Sequence, residues 1–107
     1  MKLISASPSP FARKVRVLLH ETGQTDAVEV VDVMTTATNT NPEVAAANPA
    51  GKVPALVRED GPTVYDSRVI CRFLDAKYAA GLYPESRTFD TLTLEATADA
   101  MMDAALL

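Results

Sequence analysis

Three short stretches of this chain carry groups that could handle a small charged ligand. The first is Ser9, followed by Pro10 and Phe11. A hydroxyl at the start of a helix faces unpaired N–H groups and a partial positive charge, so the position suits an anion such as a thiolate or a carboxylate. Serine is also a favoured N-cap, and the local residues leave both readings open. A serine-hydrolase reading fails on distance. The single histidine, His20, lies about three turns further along the same helix, some 16 Å away at a rise of ~1.5 Å per residue, too far to act as base for Ser9. His20 reads as a helix-surface residue.

The second stretch is Asn48-Pro49-Ala50-Gly51-Lys52-Val53-Pro54-Ala55-Leu56. Two prolines five apart around a glycine, just before a strand, imply a tightly specified turn, and the Val53-Pro54 bond is a candidate cis peptide. A cis Pro54 turns the Val53 N–H and C=O outward, free to pair with an extended peptide-like ligand as an added strand does. An ordinary trans proline at a strand start fits the same residues. The third stretch, Asp66-Ser67, lies between a strand and a helix. There a carboxylate and a free N–H can meet a ligand's ammonium and carboxylate groups, and helix capping accounts for the two residues equally well. Cys71 has no Cys-x-x-Cys partner and no helix-start position to lower its pKa, so it reads as packing, and the Met101-Met102 pair reads as core filling.

These groups sit in a chain of 107 residues, 48% hydrophobic and 22% charged, which fits a globular fold and excludes a disordered or collagen-like one. Ten Lys and Arg against 14 Asp and Glu give a net charge of −4, without the positive field that nonspecific phosphate binding draws on, so nucleic acid is not an expected partner. One cysteine and one histidine exclude an internal disulfide and a cysteine-histidine zinc site built from this chain alone, and no metal is expected. The first residues form no signal-peptide apolar region, and no apolar run approaches the ~20 residues needed to span a bilayer. The expected location is the cytoplasm, with no membrane partner.

The elements that must position these groups follow from periodicity and punctuation. Lys2 to Ser5 reads as a short buried strand ended by Pro8-Ser9-Pro10. Phe11, Val15, Leu18 and Leu19 share one helix face, with Ser9 at the cap, Pro10 at the first helical position and Gly23 at the stop. Val28 to Val33 reads as a second strand, completing a βαβ unit. Thr35 to Asn41 reads as a loop, and Pro42 to Ala47 as a short helix. Ala55–Arg58 and Thr63–Tyr65 read as a hairpin around Asp60-Gly61. Asp66 or Ser67 then caps a helix carrying Val69, Ile70, Phe73, Leu74 and Tyr78 and ending near Ala80-Gly81. After a linker at Tyr83-Pro84-Glu85-Ser86, Leu94, Ala98, Met101, Met102 and Ala105 mark an amphipathic helix over 92–107. Its apolar face has little to pack on inside so small a layered domain. The expectation is a truncated protein with an exposed apolar stripe that invites association.

Ser9-Pro10-Phe11 with Arg13-Lys14-Val15-Arg16, then Asn48-Pro49 to Leu56, then Asp66-Ser67-Arg68-Val69-Ile70, resemble the N-terminal domain of cytosolic glutathione transferases, closest to the bacterial glutathione-transferase-like branch. The resemblance covers Met1 to about Tyr83. It implies an α/β fold with a thioredoxin-like βαβαββα glutathione-binding domain over residues 1–82. Residues 83–107 then form the linker and first helix of a truncated all-helical second domain. It also implies that Ser9 donates its hydroxyl to the sulfur of glutathione, the co-substrate, and lowers the thiol pKa so that the thiolate attacks an electrophilic small molecule in detoxification chemistry. Phe11, Lys52, Val53, Pro54, Asp66 and Ser67 are the implied glutathione-binding residues. In that scheme Val53 pairs with the cysteinyl backbone, Lys52 approaches the glycyl carboxylate, and Asp66 with Ser67 holds the γ-glutamyl end. Asp66 stands where the family usually has the longer Glu. Family members are usually homodimers, which is the expectation for the full-length form.

Two further functions share parts of this pattern. A non-catalytic module of the same family, acting in regulation or protein binding, has the same fold and differs in whether glutathione binds and turns over. A thiol-disulfide oxidoreductase needs a cysteine at the helix start, where this chain has Ser9.

Overall fold

A computed structural model describes residues 1–106. They form two compact units, the first running from Met1 to Cys71 and the second starting at Arg72. The first unit is built on strands β1 (Lys2–Ser5), β2 (Glu29–Asp32) and β3 (Ala55–Val57), in the order β2-β1-β3. β1 and β2 are parallel, with Ser5 beside Asp32, and their crossover contains helix α1 (Pro10–Glu21). β3 is antiparallel to β1, with Ile4 opposite Ala55. Helix α2 (Pro42–Ala47) follows β2, and helix α3 (Ser67–Tyr78) begins in this unit.

β1 is central because its residues are apolar on both faces: Leu3 and Ile4 are fully buried. On one side Ile4 meets Val44 of α2 and Ala55 of β3, with Val31, Val33, Ala47, Val53 and Val57 packed around them. Each such aliphatic side chain contributes roughly 1.5–3 kcal/mol on full burial. α1 buries Ala12, Val15, Leu18 and Leu19 along one stripe, as its periodicity requires. Thr22 closes α1, its hydroxyl donating to the Leu18 carbonyl at 2.8 Å, and Gly23 follows with φ +68°, a conformation that favours glycine.

The expected hairpin is reduced in the structure. Thr63–Tyr65 is not a strand. Only Val64 pairs, exchanging two main-chain hydrogen bonds of 2.9 Å with Leu56, so the last β of the βαββα run is a single bridged pair. Pro62 has no N–H to give a ladder, and its carbonyl is taken by Arg58 Nε at 2.7 Å. β2 is also shorter than the apolar run 28–33, and it is an edge strand with Glu29 and Asp32 exposed.

The second unit holds the rest of α3, a 3-10 turn (Glu85–Arg87) and helix α4 (Thr88–Ala105). α3 stops at Tyr78, two residues before the expected Ala80-Gly81, and the chain leaves it through positive φ at Ala79 and Gly81. Asp75 anchors this exit by accepting the Leu82 N–H at 2.7 Å. Tyr83 donates its hydroxyl to Glu95 at 2.7 Å, and its ring lies 5.3 Å from the Arg72 guanidinium. α4 starts four residues earlier than the apolar pattern alone indicated. Leu107, the expected last helical residue, lies outside the described residues. Met101 is 69% exposed, so it does not fill a core among the described residues; Leu94 and Phe89 are exposed too, at 72% and 82%. Of the residues expected to form an apolar stripe, Leu94, Ala98, Met101 and Ala105 are exposed and Met102 is half-buried.

Candidate functional site

The register of the sheet brings the three sequence stretches to one end of the first unit. β1 runs toward Ser5 and leads into Ser9. Because β3 is antiparallel, its start, preceded by Val53 and Pro54, lies at that same end. Val64 pairs with Leu56, so the chain running on from Val64 to Asp66 returns alongside Ala55 and Pro54. The sequence spacing alone does not place Ser9, Val53 and Asp66 together; strand direction does.

Ser9 is delivered by a tight turn in which its N–H donates to the Ala6 carbonyl at 2.9 Å. It is the N-cap of α1, with extended backbone (φ −76°, ψ 119°), and Pro10 takes the first helical position. Its Oγ accepts the Ala12 N–H at 3.1 Å. That bond uses a lone pair and leaves the hydroxyl proton to be donated. The first turn of α1 has no acidic side chain, so nothing within it offsets the positive end of the helix. Cap and donor are therefore compatible roles, not rival ones. Phe11 follows, half-buried in the first turn.

The turn before β3 is organised around Asn48, which is 3% exposed. Its N–H donates to the Val44 carbonyl to close α2, and its carbonyl accepts the Gly51 N–H at 2.8 Å. Its side chain accepts the Ala50 N–H at 2.8 Å and donates from Nδ2 to the Lys52 carbonyl at 3.0 Å. Gly51 has φ +69°, with Thr40 3.4 Å from where a Cβ would stand. Val53–Pro54 is cis, the isomer that the sequence left open. Pro54 is buried, Lys52 is exposed, and the Val53 side chain packs on the Ile4, Val44 and Ala55 cluster. The Val53 N–H and C=O have no hydrogen-bond partner among the described residues.

Asp66 caps α3: its Oδ1 accepts the Arg68 N–H at 3.0 Å and its carbonyl accepts the Ile70 N–H at 3.0 Å. The peptide before it, Tyr65–Asp66, is also cis. The Arg68 guanidinium folds back on the carboxylate, Nε to Oδ1 at 3.3 Å and Nη2 to Oδ2 at 2.9 Å. The hydrogen bonds from Arg68, with its charge and that of Lys14, hold the Asp66 carboxyl below the usual carboxylate range against the opposing effect of partial burial. Asp66 is exposed, whereas Ser67, at the first helical position, retains only 2% of its surface. Its N–H belongs to the first turn and has no intrahelical acceptor.

Sequence reasoning missed Arg68 and Lys14 beside Asp66, and placed Asn48 in the turn before the strand without giving its side chain a role. An Asn after a helix, followed by Pro and then Gly three residues on, is the signal that was available for Asn48. Asn41, a loop residue by its sequence pattern, caps α2, its Oδ1 accepting the Glu43 N–H at 2.9 Å. His20 is exposed and Cys71 is buried outside any disulfide, as expected. Among the described residues no group of three or more His, Cys, Asp or Glu is placed to hold a metal ion, and no helix is long and apolar enough to cross a membrane.

Residues 8–77 match the family model of the glutathione S-transferase N-terminal domain. The chain belongs to this family. A solved glutathione transferase family member from Pseudomonas fluorescens Pf-5, with bound glutathione, matches this transferase-family chain with a TM-score of 0.91 and 40% identity, over 98% of this chain and 53% of that one. An uncharacterized GST-like protein of Escherichia coli K12, YibF, is 36% identical over 110 residues, covering all of this chain and 52% of its own length. Glutathione S-transferase 3 of Zea mays is 36% identical over 80 residues, 75% of this chain and 35% of the maize protein. The transferase-family chain thus spans about half or less of the length of these relatives. Its α/β architecture, with a parallel βαβ start and an antiparallel third strand, is the thioredoxin-like one of its glutathione-bound neighbour.

Proposed function

We propose that this chain binds glutathione and stabilises its thiolate for attack on an electrophilic small molecule. The observation that carries the reading is the Ser9 hydroxyl. Its oxygen already accepts a main-chain N–H of α1, so its proton is left to donate to an anion at a helix start without acidic residues. Donation from Ser9 and the positive end of the helix both favour the charged form of the sulfur and lower its pKa. The thiolate then forms a carbon–sulfur bond to the electrophile, whose leaving group departs with the bonding electron pair or whose electron pair moves to an adjacent acceptor atom.

The remaining groups match a tripeptide in order. Val53 pairs its N–H and C=O with the cysteinyl backbone, beside Pro54. Lys52 meets the glycyl carboxylate, Phe11 lines the start of α1, and Asp66 with Ser67 takes the γ-glutamyl ammonium and carboxylate. Residues 1–82 form the glutathione-binding domain and residues 83–107 the opening of a helical one. The full-length form is a cytoplasmic homodimer. A second reading, a non-catalytic regulatory or protein-binding module of the same family, is favoured by the exposed Phe89, Leu94 and Met101 on α4.

Calorimetric titration with glutathione, followed by conjugation of a chromogenic electrophile by wild type and Ser9→Ala, tests the proposal. Binding with Ser9-dependent conjugation is the expected result. Binding without turnover selects the second reading, and absence of binding removes the first.

A further inference from the structure

We infer that Asn48 is a positioning residue for glutathione recognition, acting through the peptide unit that joins Lys52 to Val53; the inference rests on the glutathione reading above. Asn48 Nδ2 donates to the Lys52 carbonyl at 3.0 Å. That carbonyl belongs to the same planar amide as the Val53 N–H, and in a trans peptide the two groups point in opposite directions. Holding the oxygen toward the protein interior therefore aims the N–H away from it. A carbonyl that accepts a hydrogen bond also polarises its amide and makes the N–H a stronger donor. Asn48 thus sets both the direction and the strength of the one main-chain donor that Val53 offers.

The anchor is rigid at its other end. Asn48 is 3% exposed, its own N–H and C=O are bonded to Val44 and Gly51, and its Oδ1 is taken by Ala50. This distribution of bonds also fixes the amide orientation. Oδ1 must face an N–H and Nδ2 must face a carbonyl, so only an asparagine side chain meets both demands in this space. Aspartate has the same shape but has no donor for the Lys52 oxygen. It sets two acceptors against each other, and the amide relieves that by turning the Val53 N–H from its outward direction.

The experiment compares wild type and Asn48→Asp by nuclear magnetic resonance and calorimetry, with reduced glutathione as the probe. In wild type, the Val53 and Ser67 amide signals both move on titration. In Asn48→Asp, the Val53 shift is lost while the Ser67 shift persists at saturation, and affinity falls about tenfold or more. The thiolate pKa of bound glutathione stays at its wild-type value, because Ser9 and the start of α1 are untouched; a general loss of structure would move all three readouts. If Asn48→Asp does not fold, the wild-type measurement still decides: a Val53 amide that does not respond to bound glutathione overturns the inference. Equal affinity and an unchanged Val53 shift in Asn48→Asp overturn it while leaving the glutathione reading in place. No response of any wild-type amide overturns both.

Discussion

The two helix starts at this end of the sheet are capped by different chemistry. α1 begins at an uncharged hydroxyl whose proton is left to donate, whereas α3 begins at a carboxylate gripped by a guanidinium. Both caps satisfy a main-chain N–H, and neither helix has an acid in its first turn. What differs is the sign each presents to a ligand. Ser9 adds a neutral donor to a positive helix end and so suits an anion. Asp66 places a negative charge in front of one and so suits a cation, with hydrogen bonds from Arg68 and the charges of Arg68 and Lys14 lowering its pKa further. A thiolate at one cap and an ammonium at the other fit the central and γ-glutamyl groups of one zwitterionic ligand. The lesson is that capping and ligand recognition use different valences of the same side chain, so a good cap is no argument against a functional role.

The contrast is broken most severely at Ser9. Ser9→Ala is expected to lower the conjugation rate on the order of 10²–10³-fold, as loss of a preorganised donor to a developing or bound anion does. Titrating the thiolate absorbance of bound glutathione should show the thiol pKa rising; an unchanged value would remove Ser9 from the chemistry.

At the other cap, Asp66→Asn keeps an oxygen for the Arg68 N–H but discards the charge. Glutathione affinity is expected to fall by about ten- to a hundredfold, the range of a charge-assisted hydrogen bond worth ~1.5–3 kcal/mol, read by calorimetry. A ligand lacking the γ-glutamyl ammonium should bind wild type and Asp66→Asn alike. If it discriminates between them, the ammonium is not what Asp66 recognises.

Acidification sharpens the same point. The folded-state pKa of Asp66 is depressed, so its ionised form, and any contribution of that form to binding or stability, persists from neutral pH to below the ordinary carboxylate range and is lost only as pH falls through the lowered value. In Arg68→Ala that loss should begin at higher pH, visible in the carboxyl resonance of Asp66. The stability difference should stay within about 1 kcal/mol, because both side chains are exposed and water screens the pair.

The smallest expected effect separates cap from chemistry. Glycine is tolerated at an N-cap, so Ser9→Gly should cost only a few tenths of a kcal/mol in denaturant unfolding, against roughly 1 kcal/mol for Ser9→Ala, while losing as much activity as the alanine variant. Activity that followed stability across the two variants would mean that Ser9 acts through the fold alone.

Much of this molecule is written in local patterns. The cap and first turn at Ser9-Pro10, the stripe Val15, Leu18 and Leu19, the short α2 over Pro42–Ala47, the turn before Ala55 and the cap at Asp66 are all decided by residues within a few positions of one another, so periodicity and capping chemistry suffice to find them. Tertiary structure alone decided how far such patterns extend and what they meet. Thr63–Tyr65 has strand-forming residues, yet only Val64 finds main-chain partners. Met101 has core chemistry, yet it stays at the surface because burial depends on what packs beside it. The convergence of Ser9, Val53 and Asp66 rests on the antiparallel entry of β3, and the anchoring of the Lys52–Val53 amide rests on a buried Asn48. The first joins strands far apart in the chain; the second spans only four residues, but the burial that holds Asn48 in place depends on what packs around it.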